Sequence, residues 1–261
     1  MKILFFGDIV GQPGRQAIKE ILPQWQKKYQ PDLIIANGEN SAHGSGITEK
    51  CLNEILKAGI DFVTLGDHTW KQKGVNALLN DKETPLIRPA NFPPNLPGQG
   101  YHLIELRTKK ILVINLIGRV FMHENYDCPF RAADKILEDK AEEADVIIVD
   151  WHAEATSEKV CMGWYLDGRV SAVLGTHTHI PTADARVLPK GTAYISDIGM
   201  VGVKDSSLGR DKDAAIKVAL TQVKQRLEVA EGPVEVDAVV MEIGEKGKAK
   251  KIKLVQEIVA L

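Results

Sequence analysis

Short apolar segments alternate along the chain with stretches that have helical spacing. The predicted strands are KILFFGD, DLIIANGEN, DFVTLGDH, KKILVINLIG, DVIIVDWH, RVSAVLGTHTH and TAYISDIG. The predicted helices are QPGRQAIKEILPQWQKKY, TEKCLNEILKAG, KGVNALLND, FRAADKILEDKAEEA and DKDAAIKVALTQVKQRL. Strands that are apolar almost throughout are typical of sheets covered on both faces. The pattern therefore predicts an α/β layered fold with mixed strand directions.

The end of the chain has a different pattern. VEVDAVVMEIG and KKIKLVQEIV are joined by the charged, glycine-containing EKGKA, which predicts an antiparallel hairpin. Residues 82–100 are rich in proline and have little periodicity, so we expect a long loop within the fold. With 261 residues and 44% hydrophobic residues, the chain is predicted to form a single domain over residues 1–261.

Composition narrows the classes of partner and compartment. The formal net charge is -2, so no broad basic surface predicts an extended nucleic acid or an anionic membrane as a partner. The three cysteines form no C-x-x-C pair, which argues against a disulfide framework and a thiolate zinc site. The apolar run in MKILFFGD is shorter than a signal peptide requires. We expect a cytoplasmic protein that acts on a small substrate.

Polar residues of a restricted kind end the apolar strands. They are Asp8, Glu39, Asn40, Asp67, His68, Asn115, His152, His177, His179 and Asp197. In open α/β sheets the carboxyl ends of the strands share one edge, where ligands bind, so these residues should converge. One such residue alone is usually a turn or helix cap. Together they are the side chains that bind borderline divalent metals, and they predict a metal site.

The number of candidate ligands indicates how many ions are held. Seven residues are candidates, too many for one tetrahedral ion: Asp8, Glu39, Asn40, Asp67, His152, His177 and His179. We therefore expect two divalent metal ions per chain that share a bridging carboxylate. Histidines and carboxylates without thiolates suit iron, manganese or zinc, and the ligand types alone do not choose among them. We expect iron or manganese, with zinc or magnesium as alternatives.

The motifs in this order resemble those of a known superfamily. Asp8, then a G-E-N element, a G-D-H element, a solitary histidine and G-x-H-x-H are similar to the calcineurin-like metallophosphoesterases. MKILFFGDIVGQPGR, NGENSAHGSGIT, TLGDHTW, DWHAEATSEK, GTHTHIPTAD and GTAYISDIGMVG resemble its YmdB-like branch of cyclic nucleotide phosphodiesterases. The resemblance implies an α/β/β/α sandwich of two mixed β-sheets flanked by helices.

The resemblance also implies roles for individual residues. Asp8 and His179 would bind the first metal, and Glu39 would bridge both. Four further residues would complete the second site: Asn40, Asp67, His152 and His177. His68 would be the catalytic histidine. The motifs identify no substrate-binding residue.

Two positions depart from the superfamily pattern. Ile9 and Val10 follow Asp8, where the superfamily has D-x-H, so the first metal would lose a histidine and be more open to water. Asp67 stands where most relatives would have asparagine. A carboxylate there should tighten metal binding and make a metal-bound water less acidic.

The expected reaction is hydrolysis of a small phosphodiester, 2′,3′-cyclic nucleotides and also 3′,5′-cyclic nucleotides being the substrates implied. A hydroxide bridging two metals would attack phosphorus in line, and His68 would protonate the leaving oxygen. Asp150, Thr176, Thr178 and Asp197 are candidate partners for the ligand histidines. His43 is a candidate phosphate contact, whereas His102 and His123 follow no strand.

Two alternatives remain. A barrel-type amide hydrolase is disfavoured because H-x-H comes last in the chain and not on the first strand. A regulatory protein that binds metal or nucleotide, with only incidental phosphodiesterase activity, is not excluded by any motif. The sequence also leaves open the natural substrate, the metal and the oligomeric state, including a homo-oligomer.

Overall fold

The computed structural model describes residues 1–261 and contains thirteen strands and six α-helices. The strands are β1 (Lys2–Ile9), β2 (Leu33–Asn37), β3 (Phe62–Thr64), β4 (Leu86–Ile87), β5 (Tyr101–Leu106), β6 (Lys109–Ile117), β7 (Val146–His152), β8 (Ala172–Thr176), β9 (Arg186–Val187), β10 (Ala193–Ile195), β11 (Met200–Val203), β12 (Val234–Ile243) and β13 (Ala249–Val259). The helices are α1 (Gly11–Tyr29), α2 (Glu49–Ala58), α3 (Val75–Asn80), α4 (Pro129–Lys140), α5 (Thr156–Leu166) and α6 (Lys212–Thr221). Single 3₁₀ turns span Ala141–Glu143 and Glu245–Gly247.

The strands form two mixed sheets. The seven-stranded sheet has the order β13-β12-β11-β1-β2-β3-β4, and the six-stranded sheet has the order β5-β6-β7-β8-β10-β9. β1 to β4 run parallel, as do β6, β7 and β8, so their carboxyl ends lie at one edge of each sheet. β12 and β13 pair antiparallel over ten register positions, which confirms the predicted hairpin.

Burial on both faces of each sheet explains the continuously apolar strands. In β1, Ile3 and Phe5 point into the core between the two sheets, while Leu4 and Phe6 point to the helical side. Trp25 of α1 stacks on Phe6 with ring centroids 5.5 Å apart. A third core lies between the six-stranded sheet and helices α4 and α5. The layers are therefore α/β/β/α, as the sequence motifs imply.

Several elements differ from the predicted ones. β4 lies within the predicted loop of residues 82–100, and neither β5 nor α5 is predicted. α6 ends at Thr221, six residues before the predicted end, with Gln222 in the left-handed conformation. No residue of α6 is buried, and Leu220 is 80% exposed, so no packing holds the helix beyond this point.

No helix has the length and hydropathy that a membrane span requires.

Asp237 of β12 makes folding stability depend on pH. Its carboxylate is buried and accepts hydrogen bonds from Met200 N (3.2 Å) and Gln256 Nε2 (2.9 Å). Burial, together with the negative charges of Glu235 and Asp197, raises the pKa of Asp237 to about 7. A raised folded-state pKa means that the folded chain holds a proton which the unfolded chain has lost. This contribution to stability is therefore lost as the pH rises from about 4 to about 7.

We expect Asp237→Asn to remove this penalty. The variant should match the wild type near pH 4.5 and gain roughly 2–4 kcal/mol over it at pH 8, because the amide carries no charge to desolvate. Urea titrations across this range measure the difference between the two proteins. Glu231→Gln, at an exposed acid, controls for the loss of one negative charge. A wild-type to Asp237→Asn difference that does not change with pH contradicts the prediction.

Candidate metal centre

The predicted ligands come together where the carboxyl ends of the parallel strands of both sheets meet. Asp8 lies near the end of β1, Glu39 and Asn40 follow β2, Asp67 and His68 follow β3, His152 ends β7, and His177 and His179 follow β8. The carboxylates therefore come from the seven-stranded sheet and three histidines from the six-stranded one. The predicted convergence of these side chains is observed.

His152 is at the centre of the main cluster. Glu39, Asp67, His152 and His177 each offer a ligand atom, and these four atoms lie within 4.8 Å of one another. His152 Nε2 is 3.1 Å from Asp67 Oδ1 and 3.3 Å from Glu39 Oε1. It is also 3.0 Å from His177 Nδ1. Atoms of this type at this spacing can share one cation.

A hydrogen-bond relay fixes the orientation of His152. Its Nδ1 lies 2.9 Å from Thr176 Oγ1, and that hydroxyl donates to Asp150 Oδ1 at 2.7 Å. Thr176 Oγ1 must then accept from His152 Nδ1–H, which leaves the Nε2 lone pair directed into the cluster. Asp150 is itself held by Thr64 Oγ1 at 2.5 Å. Such partners of a ligand histidine set its tautomer and its basicity.

A second group of candidate ligands adjoins the first. His179 Nε2 is 3.7 Å from Asp8 Oδ1 and 3.2 Å from Asn40 Nδ2. The other ring nitrogen of His179 lies 3.1 Å from the carbonyl oxygen of Leu208, which turns Nε2 inward. Asn40 also donates to Glu39 Oε1 at 3.0 Å, so Glu39 joins the two groups. The side chain of Asn40 thus contacts Glu39, His68 and His179.

Asp8 carries an atom that lacks a protein partner. Its Oδ2 accepts a hydrogen bond from His177 N at 3.1 Å, but its Oδ1 is buried without any hydrogen bond. Leaving a buried carboxylate oxygen unpaired costs free energy on the scale of a lost hydrogen bond or more. A cation beside Oδ1 would remove that cost, so the residues present fit a divalent metal ion.

The electrostatics of the cluster point the same way. Burial raises the pKa of Asp8 to about 7, even though the nearby His152 opposes this. Burial alone would lower the pKa of His152, but Glu39, Asp67 and Asp8 raise it well above its ordinary value. The carboxylates thus concentrate negative charge that demands a positive partner. Clusters of such shifted groups are typical of functional sites.

Backbone geometry keeps the cluster compact. A side chain at Gly66 would collide with Glu39 Oε2 and with His152 Nε2, so only glycine lets the turn after β3 approach this closely. His177 and His179 have positive φ angles of 96° and 63°, which side-chain-bearing residues rarely adopt. These two residues are held in that conformation by the contacts of the surrounding chain.

A buried ion pair lies beneath the histidine loop. Lys159 of α5 donates from Nζ to Thr176 O at 2.6 Å and to Asp197 Oδ2 at 2.7 Å. Asp197 Oδ2 in turn accepts from Thr178 N at 3.1 Å and Thr178 Oγ1 at 2.8 Å. Asp197 and Thr178 therefore support the backbone of the loop and make no hydrogen bond to a histidine ring.

His68 lies beside the ligands and partly faces solvent. Its Nδ1 is 2.7 Å from Asn40 Oδ1, and its backbone N–H donates to Glu39 Oε2 at 3.0 Å. Its Nε2 is 3.7 Å from Asp67 Oδ2, and its side chain is 30% exposed. With Nδ1–H donating to Asn40, Nε2 is the atom free to exchange a proton with a bound molecule.

The sequence analysis missed Glu154. Its Oε2 lies 3.2 Å from His177 Nε2, on the opposite side of the ring from His152 and Asp67. A carboxylate on the outer nitrogen keeps the inner one available as a ligand. Glu154 follows β7 by two residues, so the strand-end pattern that selected His152 could have been extended to it.

Other arginine, histidine and asparagine side chains have local partners. Arg88 donates to the carbonyl oxygens of Pro89, Leu96, Pro97 and Gly98, and so organises the loop before β5. Arg15 pairs with Glu54, and Arg169 pairs with Asp134. His102 stacks on Phe62 with ring centroids 5.2 Å apart, whereas His43 and His123 are exposed. Asn115 donates to Leu65 O.

Comparison with known proteins supports the interpretation drawn from the motifs. A family model described as YmdB-like protein matches residues 4–255. The protein of Bacillus subtilis named 2′,3′-cyclic-nucleotide 2′-phosphodiesterase is 47% identical over 254 residues, covering 97% of this chain and 95% of that relative.

Solved structures share the whole architecture. A hypothetical protein from Thermus thermophilus matches with a TM-score of 0.93 and 42% identity, over 99% of both chains. A putative 5′-nucleotidase from Staphylococcus aureus matches with a TM-score of 0.64 and 17% identity, over 98% of this chain and 54% of that one. The second likeness shows the fold alone, and that fold is the calcineurin-like two-sheet sandwich.

Proposed function

The chain belongs to the YmdB-like protein family, and on this premise we propose that it is a metal-dependent phosphodiesterase that hydrolyses small phosphodiesters, above all cyclic nucleotides. The observation that carries the proposal is the meeting of Glu39, Asp67 and His152 with His177 inside 4.8 Å. The named activity of the Bacillus subtilis relative supports a 2′,3′-cyclic nucleotide as the substrate.

Two divalent metal ions are the proposed cofactors. The residues that would hold them are Asp8, Glu39, Asn40, Asp67, His152, His177 and His179. Such ions supply Lewis acidity and lower the pKa of bound water. Two atoms support this proposal: Asp8 Oδ1 is buried without a hydrogen bond, and the lone pair of His152 Nε2 points into the cluster.

The chain itself provides the acid for the leaving group. Hydrolysis forms a new P–O bond to the oxygen of water and breaks the P–O bond to one ribose oxygen, which must take up a proton. We assign that proton to Nε2 of His68, because Nδ1 is engaged by Asn40 and the side chain is 30% exposed.

We further propose that residues 1–261 act as one domain. The core between the sheets draws Phe5 from β1 together with Ile148 from β7 and Leu174 from β8, so the halves of the chain share buried surface. The site depends on the same contact, since its ligands come from both sheets.

Metal content and turnover together test the proposed function. Protein loaded with iron or manganese should hold about two ions per chain and hydrolyse 2′,3′-cyclic AMP, 3′,5′-cyclic AMP or bis(p-nitrophenyl) phosphate. His152→Ala should lose metal and activity together, because its Nε2 is the central ligand atom. His123→Ala, at an exposed histidine, is the matched control.

The opposite result would favour the regulatory alternative. If the loaded protein holds one ion or none and shows no turnover, or if kcat/KM falls far below the usual ~10⁴–10⁸ M⁻¹s⁻¹ on every diester, the phosphodiesterase proposal is wrong. Retained affinity for a nucleotide without turnover would then indicate a binding protein.

A further inference from the structure

Three aromatic side chains from separate segments form a continuous row. The rings of Trp70 and Phe92 have centroids 5.8 Å apart at 38°, and those of Phe92 and Tyr126 have centroids 5.3 Å apart at 28°. Phe92 is 4% exposed, yet it belongs to none of the three hydrophobic cores of the fold. Trp70, at the end of the row, is 38% exposed. We call Trp70, Phe92 and Tyr126 the aromatic row.

The row lies at the metal centre. Trp70 follows His68 by two residues in the same turn, where Lys71 N donates to His68 O at 3.0 Å. At the other end, burial raises the pKa of Tyr126, and the negative charges of Asp67, Glu124 and Glu39 add to the effect. Because Phe92 stacks on both Trp70 and Tyr126, the row connects Tyr126 to the turn that carries His68.

Hydrogen bonds fix the segments that carry the row. Asn91, which precedes Phe92, donates from Nδ2 to Ile117 O at 2.8 Å and to Asp127 O at 2.9 Å. Its own carbonyl oxygen accepts from Asp127 N at 2.9 Å. Two hydrogen bonds between Asn91 and Asp127 thus join the segment that carries Phe92 to the one that carries Tyr126. The stacked pair of Phe92 and Tyr126 is therefore present in the folded chain before any ligand binds.

An aromatic surface beside a phosphodiester site favours one class of substrate. Nucleobases stack on aromatic side chains with about 1–3 kcal/mol per base, and they do so without a specific hydrogen-bond pattern. A diester of glycerol or of a simple sugar has no planar ring that could use such a surface. Trp70 offers exposed ring area two residues after His68, and Tyr126 is partly exposed, so each end of the row presents aromatic surface on which a base could stack.

We propose that the aromatic row is a nucleobase subsite, which stacks the base of a nucleoside cyclic phosphate while His68 and the neighbouring carboxylates face its phosphate. The proposal rests on the proposed phosphodiesterase function and narrows its substrate class to diesters that carry a base. It also assigns specificity to residues that lie outside the candidate ligand set.

The test compares two substrates with the same five-membered cyclic phosphate. One is 2′,3′-cyclic AMP, and the other is glycerol 1,2-cyclic phosphate, which has no base. For the metal-loaded wild type, kcat/KM should be higher on the nucleotide. In Trp70→Ala and Tyr126→Ala, the ratio of the two kcat/KM values should fall about 5- to 150-fold, which corresponds to the stacking energy of one base.

Two further variants separate recognition from folding. Trp70→Phe keeps an aromatic face and should restore most of the ratio. Trp164→Ala removes an exposed tryptophan of α5 that is not in the row and should leave the ratio unchanged.

The outcomes distinguish the two proposals. If the alanine variants lower kcat/KM by the same factor on both substrates, the ratio stays as in the wild type. The subsite proposal is then wrong, and the phosphodiesterase function stands. If the metal-loaded wild type hydrolyses neither substrate, the proposed function is wrong, and the subsite falls with it.

Discussion

His68→Ala should lower kcat on 2′,3′-cyclic AMP by about 10²- to 10⁴-fold while the metal content stays at the wild-type level. The two effects separate because His68 is outside the cluster of four candidate ligands, whereas its Nε2 is free to donate a proton. Without the imidazole, the ribose oxygen would leave as an unprotonated alkoxide. Asn40 would lose only its hydrogen bond to Nδ1.

The leaving group provides the sharpest measurement of this role. Nitrophenolate is a stable anion that leaves without protonation, so bis(p-nitrophenyl) phosphate should lose far less rate than 2′,3′-cyclic AMP in the same variant. A general acid predicts that contrast, and a residue that merely orients Asp67 does not.

His123→Ala is the control for the loss of one histidine, since His123 is exposed. Equal losses on both substrates, or a parallel loss of metal, would show that His68 acts only through the neighbouring candidate ligand Asp67.

Lys159→Met should destabilise the protein by about 3–5 kcal/mol, the cost of leaving a buried charge without its partner. The side chains of Lys159 and Asp197 are 3% and 1% exposed, so water cannot replace the lost ammonium group. Methionine fills a similar volume, which keeps a cavity from being the cause. The carbonyl oxygen of Thr176 would lose a donor at the same time.

The loop above the ion pair should respond as well. Thr176 and Thr178 flank His177, so losing the contacts of Lys159 should loosen the backbone that presents His177 and His179. We therefore expect weaker metal binding, measured by competition with a chelator at a temperature where the variant is folded. Lys159→Met/Asp197→Asn should recover part of the stability, because no unpaired charge remains.

Lys109→Met is the matched control. Lys109 and Asp145 form an ion pair at 2.8 Å with side chains 53% and 38% exposed, and such surface pairs contribute about 0–1 kcal/mol. If chemical denaturation shows an equal loss of unfolding free energy in the two lysine variants, burial does not explain the contribution of the Lys159 pair to stability.

The sequence predicts the site better than it predicts some of the elements around it. Asp8, His152 and His177 end strongly apolar strands, and the geometry of parallel sheets is enough to bring such positions together. Their convergence needs no knowledge of the loops. The predicted assignment of each ligand to one of two ions has no counterpart in the contacts and stays a prediction.

What the sequence did not predict depends on contacts between distant residues. In α5, Glu158 and Lys159 are buried, and their partners are backbone N–H groups at Arg119 and Val120 and the carboxylate of Asp197. Charged residues on the buried face of a helix hide its amphipathic pattern.

The aromatic row is another feature of this kind. Trp70, Phe92 and Tyr126 belong to three segments without regular spacing, and only the folded chain shows that they stack.

The strand β5 is half-buried along most of its length, so alternation does not distinguish it from the preceding loop.

The candidate ligands come from two sheets, so metal binding would also hold the two sheets together. Asp8, Glu39 and Asp67 lie at the edge of the seven-stranded sheet, and His152 and His177 lie at the edge of the six-stranded one. A cation bound by both sets would therefore connect the two layers. On the proposed function, saturation at a thousand times the dissociation constant would add about 4 kcal/mol to the folded state. In a cell short of metal, the protein would then be both inactive and less stable against unfolding.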